Sequence, residues 1–146
     1  MQKVPEAVIV EADFFISYLR GDELADRVEK LLKLAIEKRV SLLVSSEIYD
    51  DIITAYRSQG YSVHEVQSLL SDLRAIPHEA VPFTVETAIL AMNMYAKHGG
   101  SRKLHYFDSF HVAASLLMGI PLVTSDEYIL ERSAELGIKT MALRQI

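Results

Sequence analysis

Cysteine is absent from the 146-residue chain, which excludes disulfides, thiol nucleophiles and thiolate metal sites together. A cytoplasmic setting is the simplest expectation from that absence. No apolar run approaches the length of a membrane span, and the opening Met-Gln-Lys-Val-Pro-Glu reaches an acid before any signal-peptide core forms. A soluble protein with no membrane partner is therefore expected. Basic residues are in deficit, with 15 Lys and Arg against 20 Asp and Glu, a net charge of -5. Such a balance argues against a broadly basic nucleic-acid-binding surface. The argument weakens if four acids are counted with a bound cation, because the remainder is then nearly neutral and a local basic patch can meet a phosphate backbone. Repeats and low-complexity tracts are also missing.

Half of the residues are hydrophobic, enough for one globular domain over 1–146 with a core that needs no staple. The apolar run 7–10 reads as a buried strand, and 14–19 as a short helix leaving it. Asp22 is expected to cap a helix to about residue 39, followed by a strand at 40–44. Ser45 or Ser46 then opens a helix to Gln59, and Ser62 opens another ending near Arg74. A short strand near 80–83 precedes a helix from Thr84 to about Lys97, which Gly99-Gly100 breaks. Residues 101–105 read as a polar, basic loop, and Asp108 to Met118 as a helix apolar nearly all round, hence buried. A strand at 122–124, a helix at 127–136 and a strand at 140–143 complete the pattern. Strands alternating with helices predict an α/β domain whose parallel sheet is covered on both faces, with any site at the carboxyl ends of the strands.

Four acids sit beside apolar segments. Glu11 ends the first strand, Asp126 follows the fourth, Asp108 opens the most hydrophobic helix, and Asp51 borders the apolar face formed by Ile48, Ile52, Ala55 and Tyr56. Each would cost several kcal/mol if charged, buried and unpaired. The ordinary explanation of Asp108 and Asp126 is a favourable place in the first turn of a helix, and Asp13 is read as a cap for the helix at Phe14. Glu11, at a strand end, lacks that explanation. Glu47, one turn before Asp51, reads as an outer ligand or proton acceptor. Converging carboxylates repel and raise one another's pKa unless a cation neutralises them, and oxygen donors without cysteine suit Mg2+ or Mn2+. Hydrolysis of a nucleic-acid phosphodiester is the chemistry such a site performs.

A zinc site from His105, Asp108 and His111 is the competing arrangement. Packing is the preferred reading: His111 as a packed or hydrogen-bonded histidine on a buried helix, His105 as a loop residue touching substrate. Tyr106 and Phe107 likewise read as core anchors before base-stacking platforms.

With these residues in place, the chain resembles the PIN-domain family, the metal-dependent ribonuclease fold that includes VapC-type toxins of toxin-antitoxin pairs. The resemblance spans nearly the whole chain. It rests on Val8-Ile9-Val10-Glu11-Ala12-Asp13, on Ser45 followed by Asp51, on Phe107-Asp108-Ser109-Phe110-His111-Val112-Ala113-Ala114, and on Leu122-Val123-Thr124-Ser125-Asp126. It implies a three-layer α/β/α, Rossmann-like sandwich with a mostly parallel sheet of four to five strands, Mg2+ or Mn2+ as cofactor, RNA as substrate, frequent homodimers and an antitoxin protein as partner. Glu11, Asp51, Asp108 and Asp126 fall on the four acidic, metal-binding positions, with Asp13 and Ser125 on supporting ones. Glu11 stands where the family has Asp, and Asp51 where it has Glu.

These exchanged lengths give a second reading, a catalytically degenerate scaffold that binds RNA or protein without cutting. An acidic-site phosphotransfer domain is a third, with a poorer fit because the strand near 80–83 is followed by Thr84 where a receiver places its phosphorylated Asp. For substrate phosphates the candidates are Arg20, Arg57, Arg102 and Lys103, each equally readable as an ordinary solvated charge.

Overall fold

Strand order, more than strand content, positions everything that follows. The structure, a computed structural model, describes residues 3–100 and 103–146. Its five strands are β1 (Ala7–Val10), β2 (Ser41–Ser45), β3 (Glu79–Val81), β4 (Leu122–Thr124) and β5 (Thr140–Ala142), all parallel in the order β3-β2-β1-β4-β5. The chain winds outward from β1 to β2 and β3, then crosses to the other side for β4 and β5. The reversal between β1 and β4 is the topological switch point, where a crevice opens at the carboxyl ends of the strands.

The alternation of side chains along each strand builds the two flanking layers. Val8 and Val10 of β1, Leu42 and Val44 of β2 and Val123 of β4 share one buried cluster. Ile9, Leu43 and Leu122 point into another. The register pairs Val8 with Leu42 and Ile9 with both Leu43 and Leu122, so each face is continuous across the sheet. Helices α1 (Ala12–Arg20), α2 (Ala25–Ile36), α3 (Ile48–Ser58) and α4 (Val63–Arg74) cover the first face. On the second lie α5 (Val85–His98), α6 (Tyr106–Met118), α7 (Glu127–Glu131) and α8 (Ser133–Leu136). This is the three-layer sandwich expected, with an all-parallel sheet of five strands. No helix among the described residues is long and apolar enough to cross a membrane.

Several boundaries differ from the sequence pattern for identifiable reasons. Helix α1 begins at Ala12, so Asp13 lies inside its first turn and gives no side-chain cap. Asp22 accepts a hydrogen bond from the Leu24 N–H at 2.9 Å, a turn that delays α2 to Ala25, and Lys38 with φ 59° ends it before residue 39. Ser46 does not cap α3. Its hydroxyl accepts from the Phe83 N–H at 2.9 Å, and β3 stops at Val81 because Pro82 has no N–H to extend the ladder. The helix expected over 127–136 breaks at Arg132, whose guanidinium lies 5.3 Å over the Tyr128 ring.

Helix α5 carries its expected cap. Thr84 accepts from the Thr87 N–H at 3.3 Å, and the Thr87 hydroxyl faces the Thr84 N–H in return. Thr84→Ala is expected to lower the unfolding free energy by about 1 kcal/mol, measured by urea titration; an unchanged midpoint would show the cap to be redundant. Gly99 closes the same helix in contact with Tyr95, where a Cβ would lie 2.4 Å from the Tyr95 carbonyl oxygen. Glycine is therefore required at the start of the segment that leads back to the cleft.

Candidate active site

At the switch point, an open cleft of about 660 Å³ is lined by Asp13, Asp51, Lys103, His105, Tyr106, Phe107, Asp108, Ser125, Asp126, Glu127 and Tyr128. Glu11 lies beneath it. The acid follows Val10 directly, and extending the β1–β4 register by one residue sets it beside Thr124. Its carboxyl is buried, 4% exposed, and its Oε1 has no hydrogen-bond partner among the described residues. Burial pushes its pKa well above the usual carboxylate range, and the charges of Asp108, Asp13 and Asp126 push the same way against a hydrogen bond from Thr124.

Asp108 is the third residue of α6, which begins at Tyr106 rather than at the acid itself. Its pKa is raised to about 6, first by burial, with Asp126 and Asp51 adding to the rise and His111 and His105 opposing it. His105 Nδ1 stands 3.3 Å from Asp108 Oδ2. Asp126 is the N-cap of α7, its Oδ1 accepting from the Ile129 N–H at 2.9 Å, while its own N–H donates to the Thr124 hydroxyl at 3.0 Å. Capping and cleft lining are thus properties of one side chain. One donor atom from each of His105, Asp108 and Asp126 falls within 4.8 Å of the others.

Asp51 reaches the cleft from α3 and is tied across to α6. Its Oδ2 accepts from His111 Nε2 at 3.0 Å, and His111 is fully buried. Because the carboxylate only accepts, Nε2 carries the proton, and Nδ1 is left without a partner among the described residues. Asp13 lines the cleft, and partial desolvation together with Asp51 and Asp126 raises its pKa.

Other expected site residues are placed elsewhere. Glu47 is not on the cleft lining; it ends the turn before α3, with its N–H donating to Ser45 Oγ at 3.3 Å. Arg20 is hydrogen-bonded to Gln59 and lies 5.7 Å over the Tyr56 ring. Arg57 donates to the Tyr61 carbonyl at 2.8 Å. Both are engaged in packing, and Arg102 lies outside the described residues. Lys103 is the one of the four basic candidates that the structure brings to the cleft among the described residues.

Tyr128, which the sequence pattern did not single out, forms part of the cleft wall, and its hydroxyl pairs with His98 Nδ1 at 2.8 Å. The only signal for it was its place two residues after Asp126. Tyr106 departs from the core-anchor reading: it is 49% exposed, because α6 starts at that residue and turns it outward.

The donor set fits a hard divalent cation. It consists of carboxylate oxygens and one imidazole, the Asp126 charge raises the Asp108 pKa, and close by is the buried Glu11 carboxyl, whose Oε1 has no partner among the described residues and whose pKa the charges of Asp108 and Asp126 raise.

Fold and cleft together define a Rossmann-like α/β domain with an acidic cleft at its switch point. The sequence matches the PIN domain family over residues 8–135, and the chain belongs to that family, whose members are generally nucleases. Among solved structures it is similar to VapBC2 from Rickettsia felis bound to a DNA fragment from its promoter, at 14% identity and a TM-score of 0.67, covering 92% of this chain and 97% of that one. It is also similar to FitAcB from Neisseria gonorrhoeae, at 12% identity and a TM-score of 0.67, with 95% and 99% covered. A toxin-antitoxin complex from Klebsiella pneumoniae gives 12% identity and a TM-score of 0.61, with 93% and 97% covered. No curated protein sequence matches the chain.

Proposed function

We propose that the protein is a Mg2+- or Mn2+-dependent endoribonuclease, the toxin of a toxin-antitoxin pair. The observation that carries the reading is the gathering of His105, Asp108 and Asp126 donor atoms within 4.8 Å, together with a buried Glu11 oxygen that has no partner among the described residues. A cluster of this kind is unfavourable without a cation and useful with one.

Glu11, Asp108 and Asp126 are the residues that would hold the ion, with Asp51 at its edge and His105 as an additional donor. The chemistry a divalent cation held there would supply is polarisation of a phosphoryl oxygen and a lower pKa for nearby water. Asp51 accepts the proton as the water oxygen bonds to phosphorus, the P–O bond to the leaving sugar oxygen breaks, and that oxygen takes up a proton from solvent water. His111 holds the Asp51 carboxylate toward the cleft through the Nε2–H bond. Asp13 and Ser125 line the approach, and Lys103 supplies a cation for a flanking phosphate.

Asp108→Asn is expected to reduce cleavage of a labelled single-stranded RNA with Mn2+ by at least about 100-fold, on the scale of losing an electrostatic group aimed at the transition state. Wild-type protein that leaves a range of RNAs intact with Mg2+ and Mn2+ would remove the enzymatic reading. The degenerate-scaffold reading draws on Glu11 and Asp51, which stand outside the His105, Asp108 and Asp126 group. It requires activity to be absent in the wild type and to emerge in Glu11→Asp/Asp51→Glu.

The toxin reading draws on the fold shared with the toxin-antitoxin complex from Klebsiella pneumoniae. A homodimer that captures a small antitoxin encoded beside it is the assembly we propose, and co-expression of the two followed by size-exclusion chromatography tests it.

A further inference from the structure

We propose that Tyr106 is a stacking platform for an unpaired nucleobase beside the reacting phosphate. The inference rests on the reading of the cleft as a phosphodiester-cleaving site.

Its first support is the charge of the cleft. Asp13, Asp51, Asp108, Asp126 and Glu127 face it, against Lys103 and His105 among the described residues. Even with an ion bound, such a lining gives a phosphate backbone little of the attraction on which nucleic-acid binding ordinarily depends. Affinity must come in part from the bases.

Tyr106 is placed to supply it. Its ring is 49% exposed and forms part of the cleft wall, two residues before Asp108 on the first turn of α6. It is also held: near-perpendicular contacts connect it to Phe110 at 4.8 Å, Phe107 at 5.4 Å and Tyr95 at 5.7 Å between centroids. Tyr95 is in turn pressed against Gly99, where no side chain fits. An exposed aromatic ring with little freedom to move offers stacking at a small entropic cost. Tyr128, also on the cleft wall, is fixed by His98, and Arg132 lies over its ring, so the two tyrosines are not equivalent. A base within a duplex has both faces covered by its neighbours and cannot reach such a ring, whereas a base in a single strand can.

The test measures binding of the full chain to a short fluorescein-labelled oligo(A) RNA by anisotropy, with Ca2+ supporting binding. Tyr106→Phe should bind as the wild type does. Tyr106→Ala and Tyr106→Leu should bind at least about fivefold more weakly, the low end for loss of one base-aromatic stack. The same two variants should bind an abasic strand of equal length as well as the wild type does, because there is no base to lose. Annealing the complement should remove the difference between variants. The proposal is overturned if Tyr106→Ala and Tyr106→Leu bind oligo(A) like the wild type, if they weaken the abasic strand equally, or if the wild type binds no single strand. Wild-type protein that shows the Tyr106 dependence but cuts nothing with Mn2+ supports stacking while removing the cleavage reading.

Discussion

Glu11→Gln is expected to raise the thermal midpoint at pH 7.5 in the absence of divalent ions and to abolish Mn2+-dependent RNA cleavage. The wild-type carboxyl is 4% exposed, has an oxygen without a partner among the described residues, and sits among the fields of Asp108, Asp13 and Asp126. Glutamine keeps the shape, removes the ionisation and adds a donor among acceptors. Removing an unfavourable buried charge of this kind is worth about 1–3 kcal/mol, and each kcal/mol corresponds to about 2–4 °C in a chain of this size. The effect should depend on pH. Because burial raises the folded-state pKa, the cost of the carboxyl grows only as pH rises above its unfolded-state value, and the difference between variant and wild type should shrink near pH 5. Paired melts at pH 5 and pH 7.5 decide the matter; a variant destabilised equally at both would mean that the native carboxyl is compensated by something other than a proton or an ion.

Mn2+ should raise the thermal midpoint strongly at pH 7.5 and weakly near pH 5. Glu11, Asp13 and Asp108 all have raised pKa values. The proton-linked stability from such groups is fully present below their unfolded-state pKa and is lost as pH rises through the folded-state pKa. For Asp108 that window runs from about 4 to about 6. Above it the ion-free site holds mutually repelling carboxylates, and a few kcal/mol of stability have been given up. A divalent cation competes with protons for the same oxygens, so its stabilising effect grows across the same window. Differential scanning fluorimetry with and without millimolar Mn2+ at both pH values measures this. No shift at either pH would contradict the proposed site, and a shift retained in Asp108→Asn would locate the ion elsewhere.

Much of this architecture is legible from the chain. The strand ends at Glu11 and Asp126 are visible because β1 and β4 are short apolar runs bounded by polar residues, and α/β alternation fixes a parallel sheet whose carboxyl ends share one edge. Strand order is not visible, since no local property of Leu122 or Leu43 reports that both pair with Ile9. The same limit hides the contacts between helices. His111 reads as a buried polar residue, but its partner Asp51 lies on a helix from the other side of the sheet. Local geometry is hidden where a side chain serves a distant backbone group, as Ser46 does for Phe83. Arg20 and Arg57 illustrate the reverse: both are plausible phosphate ligands by position, yet each is occupied by a neighbour on the surface.

The position of β1 between β2 and β4 also has a consequence in time. During synthesis Glu11, Asp13 and Asp51 leave the ribosome well before His105, Asp108 and Asp126, and at ordinary elongation rates the interval is roughly several seconds. Throughout it β1 can pair with β2 but has an open edge where β4 belongs, and the acidic cluster does not yet exist. A nascent chain therefore lacks the assembled cleft while still presenting an unpaired apolar strand to its surroundings. The crossover from β3 to β4 closes that edge and assembles the acidic cleft in the same event, so the exposure of the apolar strand ends when the cluster of acids forms.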